Sequence, residues 1–86
     1  MHAVDALEHA VELATQLGYT VREECLGGSG GGSCELKGRK LLFLDLDLGP
    51  ADQLELVLDV LRHEPDSAKL PMPQALRELV TLRKSV

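Results

Sequence analysis

The chain has 86 residues, of which 44% are hydrophobic and 27% charged, with a net charge of −5 and only Tyr19 and Phe43 as aromatic side chains. That length makes one small domain, residues 1–86, with a modest core. The acidic balance and scarce aromatics exclude general nucleic-acid binding, which needs a cationic footprint and stacking platforms, and no apolar run reaches the roughly 20 residues of a membrane helix.

The spacing of Val4, Leu7, Val11, Ala14 and Leu17 predicts an amphipathic helix over residues 3–17. Gly18 follows where a helix takes a left-handed residue to end. The opposite stripe carries His2, Asp5, His9 and Glu12. "YTVREECL", Tyr19–Leu26, mixes aromatic and β-branched residues at alternating positions and reads as a strand. The run Gly27–Ser33 interrupts it as a loop.

"CELKGRKLLFLDLDL" then contains its own hairpin. Gly38 followed by Arg39 fits a type II′ turn, which sets Lys37 opposite Lys40, Leu36 opposite Leu41 and Cys34 opposite Phe43. Alternation places Cys34, Leu36, Leu41, Phe43, Asp45 and Asp47 on one face, and Leu42, Leu44, Leu46 and Leu48 on the other. The leucine face is expected to meet the helices. Two lysines opposite each other count against this register.

"LGPADQLELVLDVLRHEP" predicts a second helix, with Pro50 in its first turn and Asp52 complementing the helix dipole. Leu54, Val57, Leu58 and Leu61 form one stripe, and Leu56 with Val60 a second, so this helix needs cover on more than one side. "EPDSAKLPMP" is a linker to a third helix carrying Leu76, Leu79 and Val80, and the tail "RKSV" is expected to fray. The order is α-β-β-β-α-α: a two-layer α+β domain with a small antiparallel three-stranded sheet packed on helices. If the third helix leaves Leu56 and Val60 bare, a second subunit covers them as a homodimer interface.

Four constellations bear on chemistry. The glycine run lacks the Lys and following helix of a phosphate loop and the helix of a dinucleotide fingerprint. A backbone nest for a small anion, built on Gly28, Gly30, Gly31, Gly32 and Ser33, stays open beside a plain flexible turn. Cys25 and Cys34 have eight residues between them, which is no zinc or thioredoxin spacing. They are either buried small hydrophobes or, if they face each other across two strands, a redox pair. Asp45 and Asp47 share a face and could hold a divalent cation with Asp52 nearby, or form a solvated rim. His2, Asp5, His9 and Glu12 have zinc-compatible spacing on a helix, or are a solvated face. Ser29, Ser33 and His63 assemble no triad, so an enzyme is not expected and no cofactor is implied. The opening residues lack the charged, apolar and cleavage regions of a signal peptide, and with two cysteines this points to reduced thiols in the cytoplasm.

The segment "GGSGGGSCELKGRKLLFLDLDLGPADQLELVLDVLRHE" resembles the small zinc peptidases related to repressor-cleaving partners of antitoxins. Their H-E-x-x-H would fall on Asp59, Val60, Leu61, Arg62 and His63, of which only His63 matches. Both histidines and the carboxylate are needed for zinc-dependent hydrolysis, so the resemblance implies the order of elements and no peptidase activity. The "GGxC" at Gly31–Cys34 and the "P-x-x-Q" at Pro50–Gln53 also resemble short bacterial proteins without an assigned activity. The function expected is therefore a small binding or assembly module that self-associates or binds a protein partner. A metal- or thiol-handling protein is the alternative, and an anion binder a further one.

Overall fold

A computed structural model describes residues 2–81; the expected fraying of "RKSV" lies outside the described residues. The elements are α1 (Ala3–Gln16), β1 (Tyr19–Glu24), β2 (Gly31–Leu36), β3 (Arg39–Asp45), α2 (Pro50–Arg62), a 3₁₀ segment (Pro65–Lys69) and α3 (Gln74–Thr81). This is the expected α+β order, with helices on one side of a three-stranded sheet.

The pairing within the sheet differs from the expectation. The strand order is β1-β3-β2, with β2 antiparallel and β1 parallel to β3, so the sheet is mixed. The apolar run Leu41–Leu44 takes the centre, and the more polar strands take the edges. A parallel pair cannot be joined by a tight turn; here β2 itself lies within the connection, and the loop from β1 to β2 steps over the end of β3.

The β2–β3 turn is Lys37–Gly38, not Gly38–Arg39. Both residues have positive φ, 52° and 79°, which is the signature of a type I′ turn. The register becomes Leu36 opposite Arg39, Glu35 opposite Lys40 and Cys34 opposite Leu41. Lys40 thus faces a carboxylate rather than a second lysine. The shift along the partner strand is two residues, so the expected faces are preserved. Leu42 and Leu44 are fully buried beneath the helices. The strand stops at Asp45, however, so Leu46 leaves the sheet and is largely exposed.

α1 presents a different stripe from the one its larger side chains predict. Ala6, Ala10, Leu13 and Ala14 are buried, whereas Val4 is 51% exposed and Leu7 and Val11 are half-buried. α1 lies chiefly against α2, and alanines four residues apart let two helix backbones come close. α2 starts at Gly49 with Pro50 in its first turn, and Gln53 Nε2 donates to the Leu48 carbonyl (2.8 Å). Leu54, Val57, Leu58, Val60 and Leu61 are buried. α3 packs on α2 with Leu76 and Val80 buried, and Leu56 is half-buried against the core. Val60 is buried and Leu56 half-buried within one chain, so among the described residues neither stands as the bare helix face of the expectation.

Candidate functional site

The loop Cys25–Gly30 is organised by one carboxylate. Asp45, the last residue of β3, sits where the loop crosses the strand end and is fully buried. Its Oδ1 accepts from Leu26 N and Asp47 N, each at 2.9 Å, and its Oδ2 from Gly30 N at 3.0 Å. Asp47 Oδ2 accepts from Gly27 N at 2.7 Å. Burial pushes the Asp45 carboxyl up, but the N–H groups of Gly30, Leu26, Asp47 and Gly28 outweigh it and hold it below the ordinary carboxylate value.

The glycine run does form an anion nest, and the anion is the protein's own. Gly27 and Gly30 spend their N–H groups on Asp47 and Asp45, which leaves the loop without the free donors an external phosphate needs. Gly31, Gly32 and Ser33, expected in the loop, are residues of β2 paired with Leu44, Phe43 and Leu42. Gly31 is obligatory: its φ is +86°, and a Cβ there would fall on the Phe43 carbonyl oxygen. Gly28 is exposed at the loop's outer side.

The same geometry bears on the metal and thiol readings. The Asp45 oxygens are saturated by N–H donors, and Asp47 lies past the strand end rather than on its face. Among the described residues no three His, Cys, Asp or Glu side chains are grouped as metal ligands, whether around Asp45, Asp47 and Asp52 or along His2, Asp5, His9 and Glu12. Cys25 and Cys34 are exposed free thiols. They belong to opposite edges with β3 between them, and Cys34 is level with Thr20, five residues before Cys25. Strand spacing of about 4.8 Å and a rise of about 3.3 Å per residue put their Cα atoms on the order of 15–20 Å apart, beyond the roughly 7 Å limit for a disulfide. On α2, Asp59 and His63 are exposed while Val60 between them is buried.

Two surfaces remain. The first is the outer face of the sheet, which no helix among the described residues covers. Across it run Thr20, Leu41 and Cys34 in one row, and Arg22, Phe43 and Gly32 in the next. Leu36 is 58% exposed, and Leu41 and Phe43 are half-buried. Gly32 offers no side chain beside Phe43, which leaves one flank of the ring open. Arg22 and Glu24 pair at 3.4 Å along β1.

The second is a polar cleft of about 210 Å³ beside Glu64, at the Lys40 end of the sheet, lined by Tyr19, Ser33, Cys34, Glu35, Lys40 and Glu64. Tyr19 Oη donates to Glu64 Oε1 (2.8 Å), and Lys40 Nζ lies 3.3 Å from the same oxygen and 5.4 Å from the Tyr19 ring centre. Burial, then the hydrogen bond to Glu64 and the charges of Glu64 and Glu35, push the tyrosine hydroxyl up to about 12. This trio ties the end of α2 to the sheet. Sequence periodicity gives no sign of it, because Glu64 lies beyond the helix in an irregular segment. A comparison of the chain with protein-family models, curated proteins and solved structures gave no match.

Proposed function

We propose that the chain is a non-enzymatic assembly module that pairs with a second copy of itself through the open face of its sheet. The observation that carries this reading is the aliphatic and aromatic surface of Leu36, Leu41 and Phe43 on a sheet face that no helix among the described residues covers. A domain this small gains core by burying such a face against another. Two exposed thiols too far apart to bond suit a reducing compartment, the cytoplasm.

Light scattering on the eluting protein tests the reading. Wild type is expected to approach dimer mass as concentration rises, while Leu36→Lys and the double variant Leu36→Lys/Leu41→Lys stay monomeric. Circular dichroism checks that both variants fold; Leu36 is exposed enough that the single change leaves the core intact. A wild type that is monomeric at every concentration overturns self-association. Variants that dimerise like wild type move the contact away from this face.

A further inference from the structure

The helix side of the molecule carries a groove that neither the sheet face nor the glycine loop explains. It holds about 380 Å³ and is lined by Leu7, Val11 and Leu44 at its base, with Gln53 beside them and Glu8, Glu12 and Glu23 on its rim. Leu7 and Val11 pack against the edge of the core yet stay partly exposed, and Val4, 51% exposed, continues the same stripe one turn earlier. α1 thus turns Ala6, Ala10, Leu13 and Ala14 inward and keeps part of Leu7 and Val11 open along a concave surface. Burying such side chains is worth far more than burying alanine, so this arrangement leaves apolar area for a second body. The three rim carboxylates are exposed, and none has a cationic partner among the described residues. Glu8 and Glu12 stand one helical turn apart on α1, and Glu23 comes from the end of β1, so the charge lies on two sides of the apolar base.

We propose that this groove docks a short amphipathic segment of a partner protein, with leucine-class side chains on Leu7 and Val11 and lysine or arginine side chains reaching Glu8, Glu12 and Glu23. The rim selects for positive charge, and the base selects for an apolar face beside it. An acidic rim disfavours an anionic lipid surface and an acidic peptide alike.

The probe is a synthetic peptide of leucine and lysine in amphipathic helical spacing, with a leucine–glutamate counterpart, followed by fluorescence anisotropy. The lysine peptide is expected to bind and the glutamate peptide not to bind. Glu8→Gln/Glu12→Gln/Glu23→Gln is expected to weaken binding about tenfold, the sum of three exposed charge pairs of modest strength. Asp59→Asn/Asp66→Asn/Glu78→Gln removes the same charge from exposed positions outside the groove and is expected to change affinity by less than about twofold, a distant screened effect. Amide shifts on titration are expected in α1 and β1 around Leu7, Val11 and Glu23. Equal weakening by both triple variants reduces the effect to net charge and overturns the proposal, as does binding of the glutamate peptide or no binding by the lysine peptide. The groove lies on the opposite side from Leu36 and Leu41, so this result is read independently of whether the chain dimerises.

Discussion

Asp45 converts a segment with the composition of a flexible spacer into a defined loop. Its charge sits in the interior and is compensated by main-chain N–H groups, with no side-chain cation among its hydrogen-bond donors. A carboxyl held below its ordinary value of 3.8 contributes stability that is fully present above that value and lost as pH falls through the lower, folded one. Asp45→Asn places an amide NH₂ among N–H donors and is expected to lower Tm at neutral pH by roughly 10 °C, the scale of an unsatisfied buried group in a domain this size. It is also expected to flatten the fall of Tm below about pH 4. Thermal melts of both proteins from neutral to acid pH check this. A variant that melts like wild type at pH 7, or keeps its acid slope, removes Asp45 from the centre of the loop. The sequence made Asp45 and Asp47 visible as a pair of acids worth attention. Their partners stayed invisible because they are backbone groups, which carry no side-chain signature, and because their meeting depends on β3 being central.

At the scale of elements, punctuation was easy to read and partnership was not. Gly18, the glycine run, Pro50 and Pro65 mark the ends of segments by their own backbone preferences, and the expected elements lie close to those marks. The faces of β3 were also legible, since alternation survives a register error of two. The register itself was legible only through charge: two opposed lysines argued against the first alignment, and the actual one sets Lys40 against Glu35. The α1 stripe was legible in part: Ala14 is buried and Leu7, Val11 and Leu17 pack against the core, but Val4 is exposed, and close approach to α2 favours the smaller Ala6 and Ala10 that hydrophobicity ranks below it. The hairpin supplies its own test. Lys37 holds a left-handed conformation, φ 52°, which asparagine tolerates better. Lys37→Asn is expected to stabilise the protein by about 0.5–1 kcal/mol, visible as a rise in denaturant midpoint at unchanged slope. An unchanged or lower midpoint contradicts the Lys37–Gly38 turn.

For the whole molecule, the two cysteines serve as internal reporters. Both are exposed in the single chain, but Cys34 lies on the open sheet face and Cys25 beyond the end of β1. If two copies meet face to face, alkylation of Cys34 slows as protein concentration rises while that of Cys25 keeps its rate. Mass spectrometry of timed iodoacetamide reactions reads both sites in one sample. Equal rates at every concentration count against pairing through this face. A uniform slowing of both thiols points to a contact that is not confined to it.

The β1-β3-β2 order leaves two strand edges uncovered, and each is blocked in its own way. β1 ends in the exposed charges Arg22, Glu23 and Glu24. β2 begins at Gly31, whose positive φ departs from extended geometry and cannot template a regular neighbour. Both devices count against edge-to-edge stacking of copies, the route to fibres. A twofold pair through the proposed face would close on itself, so assembly by that route stops at two copies rather than growing into a chain.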